Sequence, residues 1–358
     1  MPKTGIIIAN TGSPDAPTPE AVEVYLRQFL MDPRIRQLPK PLWKLLLHRI
    51  ILPKRSQSSA ERYRFIWTEQ GSPLVIIQQH MAEILQERFD ERGDDVIVLS
   101  GMSYGHPSIL ERLEHLREAG CGHVVLLPLY PQSAYSPTQA VCDAFKRALS
   151  AIGWRPETTI VDNYHDNVLY ISLLAKTIVE AGFCAGSGDR LLLSWHAIPL
   201  KDERAGDTYR TQISHTVELL AAELGIRPQD VTVGYQSVFG PNPKAWVSPL
   251  SIDILRSWHD EGFAGRVFFM CPGFSVDCLE TLYDIPREME PALTGKGAGN
   301  AESDSSSTAQ GGSSADDVSQ ERLRDATPKP GPTLTVIGCL NDSPDHIDVL
   351  FDVLKRYI

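Results

Sequence analysis

Residues 5–10 read GIIIAN and residues 191–195 read LLLSW, and these two stretches indicate the fold. Both are apolar at consecutive positions, so neither side of such a strand could face water. Continuous apolar runs are typical of parallel strands whose sheet is covered by helices on both faces. Six further runs of this kind lie at residues 96–100, 124–129, 158–161, 231–235, 267–271 and 333–337. The sequence therefore predicts an α/β protein with eight parallel strands.

Helical patterns fill the spaces between these strands, at residues 107–119, 137–152, 167–181 and 208–224. A glycine that can end a helix in the left-handed conformation follows each of them: Gly120, Gly153, Gly182 and Gly225. Asp166 and Asp207 are candidate N-caps. Repeated βα units predict open parallel sheets. Eight strands fit either one large sheet or two four-stranded halves, whose strands would meet a cleft at their carboxyl ends.

The spacing of the strands also suggests how the chain divides. We predict an N-terminal domain over residues 1–162 and a C-terminal domain over residues 163–293 and 333–343, with a last helix at 344–358 that packs back on the first domain. Residues 294–332 are rich in Gly, Ser, Ala and Asp and lack the apolar content that a core requires. We predict that they form a disordered polar insertion.

Composition excludes several classes of protein. The chain has 358 residues, of which 42% are apolar and 22% charged, as in ordinary globular proteins. Its net charge of −11 argues against a nucleic-acid partner, which needs basic surface. Its six cysteines contain no Cys-x-x-Cys pair, which argues against a zinc ribbon. The first apolar run is too short for a signal peptide or a membrane span, so we expect a cytoplasmic protein.

Residues 38–55 read LPKPLWKLLLHRIILPKR, a strongly apolar stretch interrupted by cations. Three interpretations stay open. The stretch could be a core-packing helix whose lysines and arginines extend into water. It could instead form a lip over a hydrophobic ligand, or a transient contact with a membrane surface.

Residues 194–199 read SWHAIP, in which an apolar strand delivers a histidine to its carboxyl end. Reactive groups of α/β enzymes lie at such strand ends. A histidine there can accept a proton or bind a metal near neutral pH. A strand-end histidine is also often structural, so His196 does not decide the function alone.

A row of acidic residues follows the strand at 267–271. Glu280, Asp284 and Glu288 recur every four residues and therefore share one face of a helix. Like charges at this spacing repel each other unless a cation offsets them. The row is either a solvated acidic stripe or a path that hands on cations or protons.

Together with several other motifs, these segments resemble the ferrochelatase family, whose members insert ferrous iron into a porphyrin. The other motifs are ANTGSPD at 9–15, RQFL at 27–30, GSPL at 71–74, MSYG at 102–105 and LPLYPQ at 127–132. The resemblance covers about residues 3–292 and 333–358. It implies the chelatase fold, in which two similar Rossmann-like halves with parallel sheets enclose a porphyrin cleft.

The resemblance also implies roles for particular residues. His196 matches the family's active-site histidine and Glu280 its partner glutamate, which makes these two the catalytic residues. Asp284 and Glu288 extend the carboxylate row to the surface, so that all four are candidate iron ligands. Arg55 is a candidate for pairing a propionate, and the aromatic residues for stacking on the ring. The residues that match porphyrin-contacting positions are Thr11, Arg55, Ser72, Tyr104, Tyr130, Trp246 and Phe274.

The implied reaction needs groups of these types. Inserting Fe²⁺ displaces two pyrrole protons, and His196 suits a base because the ordinary pKa of histidine lies near neutrality. Carboxylates and imidazole can hold Fe²⁺ transiently. Porphyrin and ferrous iron are then substrates, and we expect no tightly bound cofactor. Some family members bind a [2Fe–2S] cluster through cysteines near the C-terminus, but here Cys339 stands alone, so we expect no cluster.

Several alternatives stay open. The porphyrin could be protoporphyrin IX, which the proteobacterial type of motif favours, or coproporphyrin III, whose users typically have tyrosine where Thr11 stands. Ala197 is unusual in the histidine motif, and two extra residues precede Trp246. A cobalt or sirohydrochlorin chelatase would be expected to show a second histidine beside the metal. A non-catalytic porphyrin carrier would be expected to lack His196 or Glu280.

Overall fold

The computed structural model describes residues 3–36, 38–238, 242–295 and 331–358, which contain two four-stranded parallel sheets. The first, in the order β2-β1-β3-β4, consists of β1 (Thr4–Gly12), β2 (Val96–Tyr104), β3 (His123–Pro128) and β4 (Glu157–Ile160). The second, in the order β6-β5-β7-β8, consists of β5 (Arg190–His196), β6 (Val231–Gln236), β7 (Arg266–Met270) and β8 (Thr333–Ile337). The α/β class and all eight predicted strands are confirmed. The two sheets repeat one strand order, so the alternative of a single large sheet is excluded.

Helices connect the strands of both sheets. Those of the first half are α1 (Pro19–Met31), α2 (Lys40–Leu46), α3 (Leu52–Ile66), α4 (Pro73–Arg92), α5 (Ile109–Glu118) and α6 (Pro137–Ala151). Those of the second half are α7 (Val168–Glu180), α8 (Leu200–Arg204), α9 (Tyr209–Glu223), α10 (Ser251–Asp260), α11 (Glu290–Thr294) and α12 (Pro344–Leu354). Two π-helical segments, Leu47–Ile51 and Glu280–Met289, join α2 to α3 and precede α11. No helix among the described residues is long and apolar enough to cross a membrane.

The first sheet is buried on both faces, as its continuous apolar strands predict. Successive residues of β1 point to opposite sides of the sheet. Ile6 and Ile8 pack with residues of α4 in one core, whereas Ile7 and Ala9 pack with residues of α5 and α6 in another. All four side chains are fully shielded from water. Burial on this scale stabilises the sheet by roughly 2 kcal/mol for each large aliphatic side chain.

The two halves share one apolar core. Ile6 and Ile8 of the first sheet belong to the same buried cluster as Leu191 and Leu193 of the second. Helix α12 contributes to this cluster and contacts both α4 and α7. The ring centroids of Phe351 and Phe89 lie 4.9 Å apart, so the C-terminal helix touches the first half. The predicted domain boundaries stay a prediction, and residues 296–330 of the predicted insertion lie outside the described residues.

The helix C-terminal ends follow the predicted signals, whereas both predicted N-caps need correction. All four predicted stop glycines have positive φ and follow the ends of α5, α6, α7 and α9. The prediction that Asp166 caps α7 is wrong, because the side chain of Asn167 accepts the N–H of Tyr170 instead. Asn167 has the extended backbone that brings its side-chain oxygen to that N–H. The prediction that Asp207 caps α9 is also wrong, because Thr208 is the N-cap residue and makes no side-chain capping bond. Asp207 lies one residue earlier and accepts the N–H of Tyr209.

The helix that carries the acidic row differs from the expected α-helix. It begins at Glu280, after a helical residue at Leu279, and runs to Met289 with i→i+5 bonds. Pro286 lies inside it and has no N–H to donate, and a proline ring clashes with the carbonyl four residues earlier in an α-helix. A π-helix accommodates that clash, and such segments are frequent at functional sites.

Candidate active site

A cavity of about 830 Å³ is lined by residues of both halves. The first sheet contributes Thr11, Tyr104 and Tyr130, which lie at or just beyond the carboxyl ends of β1, β2 and β3. The second contributes His196 at the end of β5 and Phe274 just after β7. Open parallel sheets bind ligands at this edge. The volume is that of a site for a sizeable organic ligand.

The predicted site residues converge on this cavity. All of them line it except Glu288, which is exposed to solvent beyond its rim. Those that line it are His196, Glu280, Asp284, Thr11, Arg55, Ser72, Tyr104, Tyr130, Trp246 and Phe274. Residues far apart in the sequence are thus brought to one place, and their roles are taken up under the proposed function.

His196 is held in one tautomer by its own backbone. Its Nδ1 lies 2.7 Å from the carbonyl oxygen of Ala197, and a carbonyl can only accept, so Nδ1 carries the proton. Ala197 is fixed in turn by donating its N–H to the carbonyl of Gln236. The neutral ring therefore has its lone pair on Nε2. This nitrogen can accept a proton or bind a metal ion.

The end of β5, next to His196, is tightly packed. Trp195 is fully buried, and its indole N–H donates to Oε1 of Gln132 at 3.1 Å. A Cβ at Gly273 would lie 2.7 Å from Cδ1 of Trp195, so only glycine lets the turn after β7 approach this closely. The Pro272-Gly273 turn thus brings Phe274 into the cavity wall beside the histidine strand.

The acidic row runs from the cavity to the surface. Glu280 and Asp284 line the cavity and are partly buried, whereas Glu288 is exposed. Nη1 of Arg62, from α3 of the opposite half, lies 3.3 Å from Oδ1 of Asp284. The positive charge of Arg62 offsets part of the repulsion between the carboxylates on this helix face. Of the two interpretations of the row, a fully solvated stripe is excluded for Glu280 and Asp284.

Asp284 titrates near neutral pH. Burial, together with the negative charges of Glu280 and Glu288, raises its pKa to about 7, and Arg62 opposes this effect only in part. Near pH 7 its carboxyl is therefore protonated in part of the population. A group with this pKa can both take up and release a proton at physiological pH.

Tyr130 is fixed at the cavity wall by hydrogen bonds to β1. Its hydroxyl donates to Oδ1 of Asn10 at 2.8 Å and accepts the N–H of Thr11 at 2.9 Å. The Thr11 hydroxyl also contacts it, so Thr11 and Tyr130 act as one unit. Burial raises the pKa of Tyr130, which keeps the phenol neutral.

Sequence reasoning missed several cations of this site. In a chain of net charge −11, a cavity with this many cations favours an anionic ligand. Lys201 and Arg204 follow His196 closely along the chain, which was the one local signal available. Arg34 pairs with Asp143 at 2.6 Å, and Arg62 with Asp284, so these two are already partly neutralised. The cations that line the cavity in addition to Arg55 are Arg34, Arg62, Lys201, Arg204 and Lys244.

Ser237 was also missed. It follows β6, lines the cavity and has a φ of 63°, which is uncommon for a residue other than glycine. Its buried hydroxyl has no hydrogen-bond partner among the described residues. Strained backbone and an unpaired polar atom often mark functional positions. The hydroxyl is available to a polar group of a ligand.

His196, with its lone pair on Nε2, shares this cavity with Glu280 and Asp284 between two open α/β halves, a donor set that suits a metal chelatase. Comparison with known proteins gives the family. A family model described as Ferrochelatase matches residues 3–306. The ferrochelatase of Nitrosococcus oceani is 41% identical over 283 residues, which cover 79% of this chain and 76% of the relative. The ferrochelatase of Azoarcus sp. is 38% identical over 350 residues, which cover 97% of this chain and 86% of the relative.

The chain belongs to the ferrochelatase family. It is an enzyme of haem synthesis that inserts iron into a porphyrin. This membership confirms the resemblance inferred from the ordered motifs of the sequence. It also decides against the alternatives of a cobalt or sirohydrochlorin chelatase and of a non-catalytic carrier.

The raised pKa of Asp284 predicts how stability depends on pH. An aspartate with a pKa of about 7 in the fold and about 4 in the unfolded chain makes the fold less stable as pH rises through this interval. Asp284→Asn removes this effect. As pH rises from 5 to 8, the unfolding free energy of the variant should increase by about 1–2 kcal/mol relative to that of the wild type. This is less than the free energy that corresponds to the full pKa shift, because the side chain of Asp284 retains some exposure.

Urea unfolding of both proteins at several pH values measures this difference. Asp260→Asn, which removes an exposed carboxylate on α10, is the control and should show no such trend. A difference between Asp284→Asn and wild type that does not change with pH would mean that Asp284 is ionised throughout this range.

Proposed function

We propose that this enzyme inserts Fe²⁺ into protoporphyrin IX, giving protohaem and two protons. The observation that carries the proposal is the tautomer of His196, which places the lone pair of the neutral ring on Nε2 in a residue that lines the same cavity as Glu280 and Asp284. The proposed base and the inner two carboxylates of the acidic row therefore line the same cavity. The two protons lost from the pyrrole nitrogens and the incoming 2+ charge need both.

His196 is the base of the proposed reaction. Its Nε2 accepts a pyrrole proton, while the Nδ1–H bond to Ala197 stays in place and stabilises the imidazolium. General bases of this kind contribute about 10²–10⁴-fold to a rate. The same lone pair could coordinate Fe²⁺ as it approaches the ring, so the geometry serves both roles.

The acidic row is the proposed route for iron and protons. Glu288 is exposed to solvent and binds the ion first. Asp284 lies between Glu288 and Glu280 along the helix, and Glu280 lies in the cavity wall. Carboxylate oxygens bind hydrated divalent ions weakly enough to release them again. Asp284, with its pKa of about 7, is suited to carry protons outward over the same positions.

Aromatic and cationic side chains would orient the porphyrin. Tyr130, Trp246 and Phe274 present ring surfaces that suit a planar macrocycle. Ser72 and Tyr104 add polar groups to the wall of the first half. The guanidinium groups of Arg55 and Arg204 can each bind a carboxylate through two parallel hydrogen bonds, as propionate groups require.

Substitutions along this route test the mechanism. His196→Ala and Glu280→Gln should lower kcat by at least about 100-fold, because each removes a group at the ring. Glu288→Gln should chiefly raise the apparent KM for iron, because an outer carboxylate only delivers the ion. The assay follows metalloporphyrin formation anaerobically at saturating porphyrin with Fe²⁺ varied. Equal losses of kcat in all three variants, with unchanged iron dependence, would exclude an iron path through the row.

The choice of protoporphyrin IX over coproporphyrin III is the finer part of the proposal. It is supported by Thr11, which stands where coproporphyrin users typically have tyrosine and whose hydroxyl is engaged by Tyr130. We expect kcat/KM for protoporphyrin IX to exceed that for coproporphyrin III by at least about tenfold, or about 1.4 kcal/mol. Competition between the two porphyrins for limiting enzyme measures this ratio. A ratio below one would reverse the assignment and leave iron insertion itself intact.

We also propose a cytoplasmic enzyme that touches a membrane surface through residues 38–55. Trp43 and Leu47 face the core, whereas the side chains of Leu42, Leu45 and Ile50 are 55%, 60% and 54% exposed. Lysines and arginines are interspersed with these exposed side chains along the same segment. Apolar side chains flanked by cations are suited to anionic lipid. The segment thus combines the core-packing interpretation with a contact surface.

Sedimentation with phosphatidylglycerol vesicles tests this contact. The wild type should sediment with the vesicles, and Leu42→Ser with Leu45→Ser should reduce the bound fraction severalfold. Val168→Ser removes an apolar side chain that is 75% exposed on α7 and should have no effect. Equal binding by all three proteins would remove residues 38–55 from the proposal.

We propose further that no resident cofactor takes part. Iron is the substrate, and the six cysteines, which lie between residues 121 and 339, include no Cys-x-x-Cys pair. The net charge of −11 supports an enzyme without a nucleic-acid partner. Measuring acid-labile sulfide in the purified protein would detect a cluster if one were present.

A further inference from the structure

A second group of possible metal ligands lies outside the lining of the cavity. His165 and Asp166 stand in the link between β4 and α7, which joins the two halves, and His215 stands on α9. One ligand atom from each residue lies within 4.8 Å of the other two. His165 is partly buried, and Asp166 and His215 are exposed, so an ion from solvent could reach all three.

The spacing of the two imidazoles suits one shared ion. Nε2 of His165 lies 3.2 Å from Nδ1 of His215, and the two ring centroids are 5.3 Å apart. Two nitrogens that each bind an ion at 2.0–2.1 Å with a tetrahedral angle are about 3.3 Å apart. The rings therefore need little movement to accept an ion between them.

The tautomer of His165 is fixed in the form that binds metal. Its Nδ1 lies 2.9 Å from Oδ1 of Asn163, and the amide nitrogen of Asn163 donates to Asp162. The Asn163 oxygen can only accept, so Nδ1 of His165 carries the proton and Nε2 has the lone pair. A ligating histidine almost always donates its other N–H in this way.

The backbone at this place is also held. The Thr216 hydroxyl, next to His215 on α9, donates to the carbonyl oxygen of His165 at 2.9 Å. The side chain of Gln132 donates to Thr216 at 3.0 Å, and its oxygen accepts the indole N–H of Trp195. The backbone of His165 is thus tied to the turn of α9 that carries His215 by bonds that do not depend on an ion.

We propose that His165, Asp166 and His215 form a second binding site for a divalent transition-metal ion, separate from the iron-insertion site. Two imidazole nitrogens and one carboxylate oxygen, with water in the remaining positions, suit Zn²⁺, Co²⁺ or Fe²⁺, whereas Mg²⁺ and Ca²⁺ prefer oxygen ligands throughout. An ion there would tie the link between the halves to α9. The alternative is a plain hydrogen bond from Nδ1–H of His215 to Nε2 of His165.

Calorimetric titration with Zn²⁺ separates these alternatives. It is carried out on metal-free full-length protein with His196→Ala, so that the cavity imidazole does not contribute. We expect a site that His215→Gln or His165→Gln weakens at least tenfold, and that Asn163→Ala weakens by about 10–100-fold by freeing the ring of His165. His106→Gln is the matched control, because His106 is an exposed histidine with a carboxylate partner, Glu111, at 3.1 Å.

A thermal shift provides the second measurement. Zn²⁺ should raise the melting temperature of the His196→Ala protein and of its His106→Gln derivative, but not that of the His215→Gln derivative. If His215→Gln and His165→Gln leave both the Zn²⁺ isotherm and the thermal shift unchanged, the two histidines share only a hydrogen bond. Circular dichroism of each variant confirms that it is folded.

Discussion

The apolar core shared by the two sheets is the constraint on which the rest of this structure depends. Ile6 and Ile8 of one sheet and Leu191 and Leu193 of the other belong to one buried cluster. Because the strands of each sheet are parallel, all their carboxyl ends lie at one edge. Packing the two sheets through this core therefore places both edges around a single cavity, and the reactive side chains that follow the strands meet there.

Within that cavity, chemistry is set by backbone conformation, burial and neighbouring charges more than by residue type. The backbone of Ala197 decides which nitrogen of His196 has a lone pair. Burial and two neighbouring carboxylates bring the pKa of Asp284 to about 7, and Arg62 from the opposite half prevents a larger rise. Inner and outer carboxylates of the same row thus differ in burial, although the sequence presents them as equivalent.

The π-helix shows how a local defect can support a site. Pro286 cannot take part in an α-helical ladder, and the wider turn that results extends over the whole acidic row. A second π-segment precedes Pro53 in the stretch that leads to Arg55. The π-segment before Pro53 thus leads to Arg55 in the cavity wall, and the π-helix of the acidic row carries Glu280 and Asp284 in that wall. A regular α-helix would place these side chains differently.

The sequence alone determined the fold class, the eight strands and the family. Apolar periodicity and strand ends are local properties, and they made His196 and Glu280 candidates, while the ordered motifs indicated the family and, through it, the roles of these two residues. Only the tertiary structure decided the tautomer of His196, the pKa of Asp284 and the convergence of Lys201, Arg204 and Lys244. It also decided the pairing of His165 with His215. Electric fields, burial and hydrogen-bond direction depend on the backbone conformation and on which groups the fold brings together, so residue types alone did not determine these features.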